Sequence, residues 1–219
     1  MVKFFVDGRE IESVEGKTLL QACLENGIYI PNLCWMAEMT RPPASCRMCF
    51  VEIEGEKSPV TACTVEPKDG MVVRTDTDAV RDLQRTGFQL LMSTHEVDCG
   101  HCPANKKCEL QRIAKLLKLG LKPGNLEHRL KISEPDHTNP FMDYYPNRCV
   151  LCGRCVFVCK EKHGQPMMTF AKRGLDTVIS FYGWNAACGI SCEGCHACAD
   201  ACPVGAMVPR NGSGEPDPA

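Results

Sequence analysis

The sequence predicts an α+β chain of three small domains, on three observations. Residues 1–76 read as a hairpin, a helix and further short strands. A compact Cys/His cluster with its own helix follows, and from Asn147 onward one cysteine motif occurs twice. In the first segment VKFFV and EIESV flank Asp7-Gly8, a hairpin signal. Thr18 with Gln21 forms a capping box, Leu20, Cys23 and Leu24 share a helix face, and Gly27 is the stop. FVEIE, SPVTA and MVVRT supply more strands, so residues 1–76 are expected to form a β-grasp unit.

A second helix is expected over about 79–92, entered through Asp76-Thr77-Asp78. CELQRIAKLLKL marks a third, within a domain spanning 77–118. Residues 119–140 are rich in Gly, Pro and charge and read as an irregular linker. The duplicated motifs occupy 141–210, with MMTFA and TVISF around Arg173-Gly174 as a hairpin between them. The tail 211–219, ending GEPDPA, is expected to be disordered.

Composition narrows the chemistry. Seventeen cysteines in 219 residues would suit a disulfide framework in a secreted chain. Here MVKFFVDGRE has no signal-peptide core, and no apolar run is long enough to span a membrane. Most cysteines also lie two residues apart, which favours a shared metal over a disulfide. A reducing cytoplasmic setting with metal-bound thiolates is the expectation, and a net charge of -2 argues against nucleic acid as a partner.

Cys149, Cys152, Cys155 and Cys159 have the C-x2-C-x2-C-x3-C spacing, and so do Cys192, Cys195, Cys198 and Cys202. Three cysteines on a tight arc reach three irons of one 4Fe-4S cubane, while the fourth is carried off on a helix to the other cluster. The expected sets are Cys149, Cys152, Cys155 and Cys202, and Cys159, Cys192, Cys195 and Cys198. Structural zinc is the competing reading, but it draws its ligands as separated pairs.

Upstream, Cys34, Cys46, Cys49 and Cys63 form a three-plus-one set. Plant-type 2Fe-2S ferredoxins place four residues between the first two ligands, and here eleven intervene, so zinc competes. His95, Cys99, Cys102 and Cys108 would suit a Cys3His zinc site or a cubane equally well by spacing. His101 inside that motif is expected to be a bystander and Cys23 a small buried hydrophobe. Cys188 is an alternative to Cys192 that breaks the repeat.

In this order the motifs resemble the N-terminal cluster region of the large iron–sulfur subunit of respiratory complex I and of iron-only hydrogenases. The likeness runs over roughly 1–210 and is strongest in NRCVLCGRCVFVC, CEGCHACADACPVGAM and CPANKKCELQ. The chain is most similar to the short iron–sulfur diaphorase subunits of NAD-reducing, bidirectional nickel–iron hydrogenases. That resemblance implies one 2Fe-2S cluster on Cys34, Cys46, Cys49 and Cys63 and a 4Fe-4S cluster on His95, Cys99, Cys102 and Cys108. With the pair downstream, three 4Fe-4S clusters are implied. It further implies an electron relay between a flavin- and NAD(H)-binding diaphorase subunit and the hydrogenase small and large subunits. The alternatives are the same wire in an NAD-dependent formate dehydrogenase or electron-bifurcating complex, or a free polyferredoxin. No dinucleotide fingerprint, P-loop or nucleophile signature occurs, so catalytic residues are expected on partner chains.

Four oxidised clusters would carry the chain from -2 to about -9 by formal charge. Arg47, Lys106, Lys107, Arg148 and Arg154 stand beside ligands and offset part of that. Gly100, Gly153 and Gly194 are expected to let backbone N–H groups approach sulfur. Tyr182 and Trp184 are expected mainly to pack.

Overall fold

Asp7 and Gly8 both adopt left-handed φ, 50° and 80°, the geometry a tight two-residue hairpin turn demands. They join β1 (Val2–Val6) to β2 (Arg9–Ser13), whose register runs from Val2 opposite Ser13 to Val6 opposite Arg9. The structure, a computed structural model, describes residues 1–122, 124, 126–182 and 192–210. Chain contacts group these into two units, one of 1–89 with 116–119 and one of 90–115 with 120–219.

In the first unit, α1 (Leu19–Glu25) starts at Thr18, whose hydroxyl accepts the Gln21 N–H at 3.2 Å. Only half of the expected capping box forms, because the Gln21 amide instead donates to Glu25 at 3.1 Å. Strands β3 (Phe50–Ile53), β4 (Val60–Thr61) and β5 (Val72–Arg74) complete a sheet of order β2-β1-β5-β3-β4. β1 and β5 run parallel and the remaining pairs antiparallel, the mixed sheet with packed helix expected of a β-grasp. Phe4, Leu19, Leu20, Ile30, Val51 and Val73 are fully buried and share one apolar cluster with Cys49 and Cys63. Helix α2 (Asp78–Ser93) starts in this unit and contributes buried Val80 and Phe88.

The second unit contains α3 (Glu109–Leu117) up to Lys115, β6 (Met142–Tyr144), α4 (Arg154–His163), β7 (Met168–Ala171), β8 (Val178–Phe181), α5 (Ala197–Asp200) and β9 (Met207–Pro209). β7 and β8 form the expected hairpin, Met168 opposite Phe181. β6 pairs antiparallel with β9, Met142 opposite Pro209 and Tyr144 opposite Met207. This pairing closes the duplicated region on itself, tying the entry of the first cysteine motif to the exit of the second.

Residues 119–140 contain no helix or strand among those described, yet much of the segment packs within the second unit. Arg129 N–H donates to the Ser93 carbonyl at 2.7 Å, Lys131 N–H donates to Asn147 at 2.8 Å, and Asp136 bridges Tyr144. Buried Asp143 lies 2.6 Å from both His137 and Arg210, so one carboxylate joins this segment to the end of β9. No described helix is long and apolar enough to cross a membrane.

Candidate metal centres

The first centre gathers side chains that elements of the sheet hold in place. Cys46 and Cys49 ride the loop entering β3, and Cys63 lies on the 3-10 turn after β4. Cys34 reaches them from the segment after α1, with its sulfur 3.4 Å from that of Cys46. All four are buried. Arg47, between Cys46 and Cys49, takes a left-handed φ of 51°, and its charge acts on Cys63. Such strain in a non-glycine residue costs about 1–2 kcal/mol and persists where the surroundings enforce it. One enforcing contact is Gly87 of α2, where an added Cβ would lie 2.9 Å from the Arg47 carbonyl oxygen.

A thiol pair sharing one proton keeps Cys34 below and Cys46 above the ordinary thiol range, with burial adding to the rise at Cys46. Cys63 and Cys49 divide in the same way. Four buried thiols crowded together are costly as thiolates unless cations sit among them. Iron would supply those cations, so the donor set fits the group.

The second centre forms where α2 ends. His95 follows its last turn, Cys99 lies on a 3-10 turn with His101, and Cys108 directly precedes α3. His95, Cys99, Cys102 and Cys108 line one cavity together with Asp98, Arg148 and Val204. The His95 Nδ1 is buried with no hydrogen-bond partner, as a donor atom awaiting a metal would be. Burial pushes the imidazole down to about 4, against a weaker opposing influence of the Arg148 main chain, so the ring is neutral at pH 7. His101 points away, exposed, to Asp98 at 2.9 Å, as a bystander would.

The third and fourth centres come from the duplication. Cys149, Cys152, Cys155 and Cys202 line one cavity. Cys159 interacts electrostatically with Cys192 and Cys195, and Cys198 with all three. The structure thus groups Cys202 with the first three cysteines of the first motif and Cys159 with the first three of the second. This grouping follows from helix geometry. Cys155 and Cys159 sit four apart on α4, roughly 6 Å along its axis and on one face, so each reaches a different centre. Cys198 and Cys202 repeat the arrangement from α5 onward. Burial pushes Cys152 and Cys198 up to about 12, and Cys155 still further with four neighbouring thiols adding to it.

Backbone donors meet the sulfurs. Leu151 N–H reaches Cys149 at 3.4 Å, Met167 N–H reaches Cys159 at 3.2 Å and Ala206 N–H reaches Cys202 at 3.2 Å. None of these donors is a glycine. Gly153 and Gly194 instead supply left-handed turns, and nothing crowds Gly100. Leu151, at φ 52°, fills the slot that Gly194 fills in the second motif, with φ 65°.

Arg148 is buried, stacks 4.3 Å over Tyr145 and lies 4.0 Å from Asp98. The Arg154 charge favours the Cys152 thiolate, whereas Lys106 and Lys107 are exposed.

Several contributors carry no clear signal in the sequence. Lys131 is buried, its ammonium 3.3 Å from the Pro146 carbonyl and drawn toward Cys149. His163 Nε2 lies 3.4 Å from the Cys195 sulfur. An added Cβ at Gly205 would fall 2.8 Å from Ala104 Cβ and 3.2 Å from the Cys102 sulfur. A histidine four residues beyond Cys159, and a Pro-x-Gly after Cys202, are the traces that the last two leave. Cys23 is fully buried in the apolar cluster, with burial raising its thiol to about 12, as a packing residue would be. Cys188, Trp184 and the tail 211–219 lie outside the described residues.

Fold and donors thus define a class, the multi-centre iron–sulfur proteins built of ferredoxin-like domains.

Comparison with known families makes this specific. Residues 1–78 match the 2Fe-2S iron-sulfur cluster binding domain, and 84–120 match the NADH-ubiquinone oxidoreductase-G iron-sulfur binding region. Residues 139–208 match the ferredoxin-like domain of NADH-quinone oxidoreductase subunit 3. The chain thus carries, in this order, the three iron–sulfur domain types that these models describe.

It is 34% identical to the NADPH-Fe(3+) oxidoreductase subunit alpha of Geobacter sulfurreducens, over 96% of this chain and 24% of that protein. It is 32% identical to the NADH-ubiquinone oxidoreductase 75 kDa subunit of Reclinomonas americana, over 96% and 30%. Against the NADP-reducing hydrogenase subunit HndD of Solidesulfovibrio fructosivorans it is 30% identical, over 95% and 36%. The chain thus spans about a quarter to a third of these relatives' length. A chain of the crystal structure of an NAD+-reducing nickel–iron hydrogenase in the H2-reduced state superimposes with a TM-score of 0.82. The identity there is 27%, covering 95% of this chain and 87% of that one.

Proposed function

We propose that the chain is an electron-relay subunit carrying electrons between a flavin- and NAD(H)-binding subunit and a nickel–iron hydrogenase. One 2Fe-2S cluster sits on Cys34, Cys46, Cys49 and Cys63. One 4Fe-4S cluster sits on His95, Cys99, Cys102 and Cys108, and two more sit on the exchanged sets of the duplicated motifs. The domains run 1–76, 77–118, a connecting stretch 119–140, and 141–210, and the protein works in the cytoplasm. The hydrogenase is favoured over the other terminal enzymes because a chain of an NAD+-reducing nickel–iron hydrogenase superimposes on 95% of this chain with a TM-score of 0.82.

The observation that carries the relay is that neighbouring centres of the second unit share walls. Val204 lines both the His95 cavity and the Cys149 cavity. One turn of α4 then separates Cys155 of the third centre from Cys159 of the fourth. When bound, each cluster supplies a one-electron site that changes charge with little change of shape, and the chain's own thiolates, N–H donors and buried cations set its potential.

The test is anaerobic isolation from the native source. About 14 iron and 14 sulfide per chain, co-elution with a flavoprotein and a hydrogenase, and bleaching by NADH only with the flavoprotein present are expected. Colourless protein with stoichiometric zinc would defeat the reading. Within it, His95→Cys is expected to lower the potential of the second centre, because a thiolate adds one negative charge where the imidazole is neutral. A redox-titrated paramagnetic resonance signal that stays put would contradict this.

A further inference from the structure

Tyr144 is a large polar side chain buried beside the third centre, where ligation assigns it no role. Only 1% of it is exposed. It sits on β6, opposite Met207 of β9 and five residues before Cys149. Its phenolic oxygen accepts the Ile179 N–H of β8 at 3.1 Å. That bond occupies the oxygen as an acceptor and leaves the hydroxyl hydrogen free to turn toward the Cys149 sulfur, on which the phenol acts electrostatically. Ile179 itself lines the cavity with Cys149, Cys152, Cys155 and Cys202.

Resting on the ligand assignment above, we infer that the Tyr144 hydroxyl is a potential-setting donor to the Cys149 thiolate, held in aim by the β7–β8 hairpin. When one electron from a reduced partner enters the cluster, negative charge on the ligand sulfurs grows and a fixed O–H···S bond strengthens. No bond breaks and the proton stays on the phenol oxygen. The reduced state is therefore favoured over the oxidised one, and the centre's potential is raised. In the fourth centre the corresponding cysteine is Cys192, which the Asn139 side chain meets in place of a phenol. The two duplicate centres thus take different side-chain partners at this position.

The test uses the complete, cluster-loaded chain. Iron and sulfide content and all four paramagnetic signals are checked first, since their absence would refute the ligand assignment rather than this inference. Tyr144→Phe is then expected to reduce the ratio of reduced to oxidised third centre about tenfold at a fixed ambient potential, which is about 59 mV for one electron. The fourth centre should not move. Because loss of the hydroxyl also orphans the Ile179 N–H, a second variant keeps the geometry. Substituting 3,5-difluorotyrosine at position 144 makes a stronger donor of nearly the same size and is expected to shift the ratio the opposite way. Opposite shifts confined to the third centre establish the donor. Should Tyr144→Phe fail to retain the cluster, the fluorinated variant alone decides. An unmoved third centre in the fluorinated variant, or equal shifts at both centres, would overturn the inference.

Discussion

Cys202→Ala is expected to abolish the same paramagnetic signal as Cys149→Ala, although 53 positions separate the two residues and they belong to different motifs. Cys159→Ala should likewise share its lost signal with Cys192→Ala. Each variant forfeits about 4 of about 14 irons, or converts its cubane to a three-iron form. The reasoning is geometric. Cys202 lines the cavity with Cys149, Cys152 and Cys155, and the Ala206 N–H fixes its sulfur at 3.2 Å. Cys159 is held in turn by the Met167 N–H and faces Cys192 and Cys195. Centres built from contiguous motifs would instead pair Cys159→Ala with Cys149→Ala. The pattern of shared losses measured in the four variants distinguishes the two without reference to absolute potentials.

The same residues show why the candidate ligands were legible in the sequence. A cubane constrains its cysteines through short loops, and a helix fixes the direction of the next one, so Cys149, Cys152, Cys155 and Cys159 write their geometry into local spacing. The first unit was legible for a similar reason, since Asp7-Gly8, the Thr18 cap and Gly27 are local devices. What surrounds the centres is not local. Tyr144 is aimed by Ile179, 35 positions away, and Lys131 is buried by a segment whose composition gives no periodic signal. The glycines illustrate the same limit. Those beside cysteines drew the expectation of N–H donation, but the donors are Leu151, Met167 and Ala206. The crowded glycines are Gly87 and Gly205, each pressed against a loop distant in sequence.

Gly205→Ala is expected to cost the second centre its cluster while leaving all sixteen candidate ligands in the sequence. Two demands meet at this residue. Its φ of 65° is left-handed, which costs an alanine about 1–2 kcal/mol. The added methyl would also meet Ala104 Cβ at 2.8 Å and the Cys102 sulfur at 3.2 Å, closer than carbon and sulfur tolerate. Neither neighbour is the free end of a flexible chain. Ala104 is held between Cys102 and the turn whose Lys107 N–H donates back to it at 2.9 Å, and Val204 beside Gly205 forms the wall shared with the third centre. The least costly relief moves Cys102, and a cubane cannot follow one ligand without releasing another. Overpacking of this kind adds about 1–3 kcal/mol, so a lower midpoint of thermal unfolding should accompany a loss of about 4 irons. Retention of the second centre's signal at its native potential would show that the segment from Cys202 to Gly205 yields instead. In that case the third centre, whose ligand Cys202 lies three residues away, should carry the shift.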